Sequence, residues 1–236
     1  NKDAQIVKKV FSEFSQIYPK PGWVEHDPIE IWETTLRLLK DITADIASES
    51  IASIGITNQR ETTVIWNKST SKPIYNAIVW QCTRTSNLCN ILKKDGHADK
   101  FSVKTGLILD SYFSGTKINW ILNNVDDANK MAHNGELAFG TIDTWLIWNL
   151  TNGRNHLTDY TNASRTLIYN IDLKEWDDRL LDILEIPSDI LPKVQSSSSD
   201  FGVTDASILG TQIPISGVAG DQQSALYGQL AFESGM

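Results

Sequence analysis

Two residues of opposite charge stand side by side at Arg60 and Glu61, inside the stretch Gly55-Ile56-Thr57-Asn58-Gln59-Arg60-Glu61-Thr62-Thr63-Val64-Ile65-Trp66. A guanidinium offers a planar fork of donors and a carboxylate offers acceptors, so together they can grip the hydroxyl groups of a small polyol. In a regular strand neighbouring side chains point to opposite faces, and the two can meet one ligand only if the chain bends there. The polar Asn58-Gln59 step is where a bend is expected. Without one, Arg60 and Glu61 are an ordinary surface pair at a strand end. Trp80 closes an apolar run and Tyr112 precedes a helix, positions that serve either core packing or the wall of a ligand site. Cys82 and Cys89 have no catalytic partner at a recognisable spacing, and they fit neither a disulfide framework nor a four-ligand zinc site. Thiol chemistry and a metal centre are therefore not expected; the cysteines read as free thiols in a reducing compartment.

The elements that must position these side chains follow from periodicity. Ile51 to Ile56 and Thr62 to Trp66 are short, β-branched runs that read as a pair of strands and place the polar residues between them at a sheet edge. Upstream, Ile6, Val7, Val10, Phe11 and Phe14 alternate imperfectly with polar residues and predict a strand over 4–16. Asp27-Pro28-Ile29-Glu30 opens a helix, with an acidic cap, Pro at the first position and Glu placed to close a capping box. Ile29, Trp32, Leu36, Leu39, Ile42 and Ile46 form its apolar stripe. Ala77 to Trp80 is a further strand. Helices are predicted over 84–94, 97–104, 117–124 and 141–150, with a buried strand at 137–140; Trp145 and Trp148 read as packing residues. Residues 155–176 form an irregular excursion with short strands, 175–184 a helix, 187–192 a loop, and Gln195 to Asp200 a surface loop. A last buried strand, Ile213 to Gly220, runs into a helix over 221–230. Asp221 thus stands at a strand-to-helix junction, where Asp commonly caps the helix. There is no internal repeat, and the alternation of strand and helix is the α/β pattern.

Composition narrows the function. The chain has 236 residues, 41% of them hydrophobic, enough for a packed core of one large or two small domains. A formal net charge of −8 with no long basic run argues against nucleic acid as a partner. No apolar run approaches the roughly 18 residues of a membrane span, and Asn1-Lys2-Asp3 does not open a signal peptide.

Six segments in order carry a resemblance that covers nearly the whole chain: Ile17 to Pro28, the Arg60 stretch, Val79-Trp80-Gln81-Cys82-Thr83-Arg84-Thr85, Tyr112 to Leu122, Thr161-Asn162-Ala163-Ser164-Arg165-Thr166, and Ile213 to Gln223. In these the sequence resembles the glycerol kinases of the FGGY carbohydrate kinase family. The resemblance implies an α/β fold of the ribonuclease H-like, actin/hexokinase type, a mixed sheet flanked by helices. It implies that residues 1–236 are the N-terminal domain, lacking the first phosphate-loop hairpin, and that the adenosine-binding second domain is absent apart from its approach at 221–236. Carried over residue by residue, Arg60 and Glu61 would hydrogen-bond glycerol, Trp80 would cover its carbons, Tyr112 would add a phenolic bond, Gln222 would bind a hydroxyl, and Asp221 would be the base for attack on the γ-phosphate of ATP. ATP and Mg2+ would be bound mainly by segments this chain lacks, so by itself it is expected to be inactive. The resemblance further implies a cytoplasmic transferase and admits a homo-oligomer, dimer or tetramer. Another polyol or ketose as substrate, or a binding module without turnover, are the alternatives.

Overall fold

The computed structural model describes residues 5–235. In chain order the elements are β1 (Glu25–His26), α1 (Pro28–Thr43), β2 (Ile54–Asn58), β3 (Val64–Asn67), β4 (Ala77–Ile78), α2 (Ser86–Lys94), α3 (Ala98–Thr105), α4 (Ser114–Asn124), α5 (Ala128–His133), β5 (Leu137–Gly140), α6 (Ile142–Leu150), β6 (Leu157–Asp159), α7 (Tyr160–Ala163), β7 (Tyr169–Asn170), β8 (Glu175–Trp176), α8 (Asp178–Ile183), β9 (Lys193–Gln195), α9 (Ala206–Leu209), β10 (Ile215–Gly220) and α10 (Asp221–Gly228). The strands form five two-stranded ladders among the described residues: β2–β10 and β6–β9 are parallel, while β1–β4, β3–β5 and β7–β8 are antiparallel.

The β3–β5 ladder divides the core. Successive side chains of a strand face opposite ways, and here both faces are apolar and buried. Val64 and Trp66 of β3 and Ala138 of β5 enter one cluster with Ile31, Trp145, Ile147, Trp148 and Val218. Ile65, Leu137 and Phe139 enter the other, with Phe101, Ile118, Ile121 and Leu180. Helices α1 and α6 thus cover one side and α2 to α5 with α8 the other. Trp145 and Trp148 are packing residues as expected, ring against ring with Trp66 at 5.3 and 5.6 Å.

β2 and β3 do not pair with each other, contrary to the sequence expectation. β2 runs parallel to β10, with Asn58 opposite Gly220, while β3 joins β5. Between them Glu61 adopts φ +64°, in the left-handed region that a glutamate rarely visits. The expected bend is therefore present, and it moves the chain from one ladder to another. Because β2 and β10 are parallel and in register to their last residues, Arg60 and Asp221 emerge at the same carboxyl end, the place where α/β sheets bind ligands.

Four other expectations are corrected. Residues 5–16 belong to no strand or helix, and residue 4 of that prediction lies outside the described residues. The segment is held to α1 by side chains: Lys8 Nζ donates to the Asp41 carbonyl at 2.7 Å, Arg37 Nη2 to Ser12 Oγ at 2.9 Å, and Ser15 N and Oγ to Glu30 Oε1 at 3.0 Å each. With Glu30 so engaged, the capping box does not form, although Asp27 does cap α1 by accepting from Ile29 N at 2.8 Å. Ile29 and Ile46 of the expected stripe are exposed, and the isoleucine that α1 buries is Ile31, which the stripe did not include, with Trp32 and Leu39 packed in the same cluster. Finally, Glu175 and Trp176 form a strand, and the helix begins only at Asp178, after the Asp177 cap accepts from Leu180 N.

Candidate functional site

Arg60 is the floor of the site and only 4% exposed. Its approach to the end of β10 demands a glycine at 220: a Cβ there would lie 2.3 Å from Arg60 Cδ. Arg60 Nη1 donates to Gln223 Oε1 at 3.2 Å, and Nε stands 3.4 Å from Asp221 Oδ1 in an ion pair. That contact lacks hydrogen-bond geometry, so Nε is a buried donor without an acceptor, the kind of group a ligand hydroxyl satisfies.

Glu61 is 2% exposed. Its carbonyl accepts from Ser114 Oγ at 3.0 Å and from Thr63 Oγ1 at 3.1 Å, which holds the strained backbone. Its Oε1 accepts from Arg165 Nε at 2.6 Å, and Oε2 has no donor among the described residues. Burial pushes the Glu61 carboxyl above the usual range, opposed by the hydrogen bond and charge of Arg165 and by the charges of Arg60 and Lys117.

The aromatic wall is Trp80 and Tyr112, both half-buried, with ring centroids 5.2 Å apart. Tyr112 is fixed through its backbone. Its N–H donates to Asp110 Oδ1 at 2.9 Å, and Lys117 Nζ donates to the carbonyls of Ser111, Tyr112 and Phe113 at 2.8, 2.5 and 3.1 Å. Lys117 is wholly buried, and burial pulls its ammonium down to about 7. The Tyr112 phenol is pushed up, first by burial and then by the nearby Glu61 charge.

Asp221 is the first residue of α10 rather than its cap. The cap position is Gly220, which makes no side-chain capping bond, and Asp221 Oδ1 accepts from the Gln222 N–H at 2.9 Å. Its side chain is 55% exposed. Gln222 is exposed too, and it is Gln223 that reaches Arg60. Beneath this junction lies a buried polar network. Gly220 N donates to Thr161 Oγ1 at 2.7 Å, Thr161 Oγ1 to Asp159 Oδ2 at 2.7 Å, and Asn162 Nδ2 to Asp159 Oδ1 at 2.8 Å, while Asn58 and Asn162 exchange side-chain bonds. Asp143 joins it through Asn58, Thr141 and Thr158, and burial lifts its carboxyl to about 6.

The structure thus gathers Arg60 with Asp221, and Glu61 with Tyr112 and Trp80, around the ends of β2 and β10. Sequence reasoning gave no role to Arg165, Lys117, Gln223 or Thr161. A signal existed for Lys117: side chains of a helix lean toward its N-terminus, so a lysine in the first turn of α4 reaches back over residues 111–113. Cys82 and Cys89 are free and buried, and burial pushes the Cys89 thiol up to about 11, away from nucleophilic use. Among the described residues no three His, Cys, Asp or Glu side chains gather to hold a metal ion. A cavity of about 590 Å³ runs along β2 and β10 past Ile56, Ser197, Gly217 and Tyr227, and it meets the site only at Gln223. The polar groups, not the depth of a cavity, mark the site.

Residues 1–228 match the model of the FGGY family of carbohydrate kinases, N-terminal domain. The glycerol kinase of Shigella dysenteriae serotype 1 is 57% identical over 239 residues, 100% of this chain and 48% of that protein. The glycerol kinase of Plasmodium falciparum, solved with ADP, superposes with a TM-score of 0.93 at 40% identity, covering 97% of this chain and 46% of that one. The gluconate kinase of Lactobacillus acidophilus gives 0.81 at 25% identity, covering 93% and 44%. The fold is accordingly the actin/hexokinase-like fold of these sugar kinases, and the chain spans about half the length of the curated relatives it matches.

Proposed function

The chain belongs to the FGGY family of carbohydrate kinases, and from that premise we propose that it is the N-terminal, glycerol-binding domain, residues 1–236, of an ATP-dependent glycerol kinase. The observation that carries the reading is the Glu61 bend, which puts a buried guanidinium and a buried carboxylate at one end of the β2–β10 ladder beside an exposed carboxylate. Glycerol needs donors and acceptors side by side for its vicinal hydroxyls. Arg60 Nε donates to one hydroxyl and Glu61 Oε2 accepts from another. Trp80 covers the carbon chain, Tyr112 adds its phenolic hydroxyl, and Gln222 meets the hydroxyl next to the base.

Asp221 takes the proton from the attacking hydroxyl as that oxygen bonds to the γ-phosphorus of ATP and the bond to the β-phosphate oxygen breaks, giving sn-glycerol 3-phosphate and ADP. Phosphoryl transfer depends mainly on positioning and charge stabilisation, which orienting groups and one carboxylate supply. The described residues do not make a metal site by themselves, and no step here runs through Mg2+, which the reading assigns with ATP mainly to segments outside this chain. No described helix is long and apolar enough to cross a membrane; with its free thiols this fits a cytoplasmic enzyme, and a homo-oligomer is part of the same reading.

The test is ATP-dependent formation of glycerol 3-phosphate by the enzyme carrying this domain, with glycerol, 1,2-propanediol and gluconate compared. Losing one hydroxyl leaves a buried polar partner unpaired, at about 1 to 3 kcal/mol, so 1,2-propanediol should be a poor substrate. Equal specificity constants for glycerol and 1,2-propanediol would remove the proposed roles of Arg60 and Glu61, and a preference for gluconate would move the enzyme to another branch of the family.

A further inference from the structure

Arg165 belongs to none of the roles above, yet it contacts Glu61 and Tyr112 together. Its Nε donates to Glu61 Oε1 at 2.6 Å. Its guanidinium carbon stands 5.7 Å from the centre of the Tyr112 ring and 4.9 Å from that of Phe113, within cation–π range of both. The backbone that carries it is tied at each side. Arg165 N donates to the Asn162 carbonyl at 3.0 Å, and the Thr166 carbonyl accepts from Gly115 N at 2.7 Å. A Cβ on Gly115 would come within 3.0 Å of that Thr166 carbonyl and 2.9 Å of Leu184 Cδ1, so the approach of α4 to this segment is as close as the chain allows.

We infer that Arg165 is a positioning residue of the polyol site, holding the Glu61 carboxylate charged and aimed, and clamping Tyr112 against it. The inference rests on the reading of Glu61 as a polyol ligand. Glu61 is nearly inaccessible to water, and an isolated buried carboxylate takes up a proton in preference to staying charged. A protonated Glu61 has one acceptor oxygen fewer and gains a donor, which no longer complements Arg60 across a diol. The groups that face it are Arg60 from its own loop, Lys117 from α4, the Tyr112 phenol from the loop before α4, and Arg165 from the segment after α7. Among these, Arg165 is the side chain that hydrogen-bonds the carboxylate. A structural arginine would be expected to bury its charge against a carboxylate with no other duty; this one pairs with the residue whose charge the site needs.

The test is a carbon-13 titration of the Glu61 carboxyl by NMR in this chain, comparing the parent with Arg165→Met and Arg165→Lys. In Arg165→Met the Glu61 midpoint should move up by about 1 to 3 pH units, the usual effect of one adjacent cation, and Arg165→Lys should fall between. A Glu61 midpoint unmoved in Arg165→Met overturns the inference. Should Arg165→Met fail to fold, Arg165→Lys and Arg165→Gln decide in the same way: a shift ordered parent, Lys, Gln supports the inference, and equal midpoints overturn it. Glycerol binding by calorimetry at pH 6 and 8 is the second readout. Arg165→Met should weaken binding more at pH 6 than at pH 8, and equal weakening at both would leave Arg165 a merely structural residue. Glu61→Gln separates this inference from the reading beneath it. If Glu61→Gln leaves glycerol affinity unchanged, the polyol role of Glu61 falls, while the NMR titration still reports whether Arg165 controls its charge.

Discussion

Gly220 and Arg60 are in contact so close that no other residue type fits at position 220 without displacing the guanidinium: a Cβ would stand 2.3 Å from Cδ and 2.7 Å from Cγ of Arg60. Both atoms belong to a buried side chain whose head is held by Gln223 and faces Asp221. Gly220→Ala should therefore push Arg60 out of register with Glu61. Overpacking of this kind costs about 1 to 3 kcal/mol. The expected outcome is a tenfold or greater loss of glycerol affinity in calorimetry, together with a lowered unfolding midpoint in urea. Unchanged affinity would show that the position of Arg60 does not matter to binding.

Lys117 should couple the stability of the domain to pH. Its ammonium is buried and pulled down to about 7 from an ordinary value of 10.5. Between those two values the unfolded chain binds a proton that the folded chain does not, so this group makes stability rise with pH across that window and adds no pH dependence below it. Lys117→Met removes the dependence and leaves the carbonyls of Ser111, Tyr112 and Phe113 without their donor, at about 1 to 3 kcal/mol for such unpaired groups. Urea unfolding at pH 6.5 and 8.5 should find the gap between parent and variant wider at pH 8.5. A gap that stays the same at both pH values would mean that the ammonium is charged throughout.

The candidate site was partly legible in the sequence, and the divide has a physical reason. The Glu61 bend could be read from a polar step between two apolar strands, and the start of α1 from Asp27-Pro28, because both are written in adjacent residues. The end of α3 is written just as locally, in Gly106, which takes φ +69° at the C-cap. What pairs with what was not legible: β2 finds β10 and β3 finds β5 across 70 residues or more, and local pattern carries no register. The alternation in residues 5–16 likewise specifies a strand's side chains but not a neighbour to accept its backbone. Arg165 and Lys117 were missed because a cation within a polar run reads as a solvated face; only packing shows Lys117 with no exposed surface.

Asp143 and His156 should exert opposite pulls on stability in mild acid. Burial raises the Asp143 carboxyl from 3.8 to about 6, so between these values the folded state binds the extra proton and stability falls as pH rises. Burial lowers His156 from 6.5 to about 4, its Nε2 lying 2.7 Å from the Phe139 carbonyl. There the unfolded state binds the extra proton and stability rises with pH. In the parent the two largely cancel between pH 4 and 6. Relative to the parent, Asp143→Asn should make stability climb more steeply over that range, and His156→Gln should make it fall, each by up to about 1.4 kcal/mol per pH unit. Denaturant midpoints at pH 4.5 and 6 check both, and variants that keep the parental profile would show that neither group titrates in this window.

Asp221→Asn distinguishes a catalytic carboxylate from a structural one. The structure removes much of the case for a structural role: Asp221 is more than half exposed, does not cap α10, and makes a 3.4 Å ion pair with Arg60 rather than a hydrogen bond. Arg60 is buried but the Asp221 end of the pair is open to solvent, which screens it, and an amide at 221 still presents an oxygen to the guanidinium, so the variant should unfold within a few degrees of the parent. Chemistry is another matter, because the attacking hydroxyl must lose its proton as it bonds to phosphorus, and an amide cannot take it. Turnover by the enzyme carrying this domain should fall by roughly 10² to 10⁴, the usual worth of a general base, which is about 2.7 to 5.4 kcal/mol of barrier. Glycerol affinity should change far less, since the amide oxygen still accepts a hydrogen bond. The decisive comparison is kcat at saturating glycerol against the unfolding midpoint of the same preparation. A variant that loses stability or glycerol binding while keeping parental turnover would make Asp221 a structural residue and leave the base to be sought elsewhere.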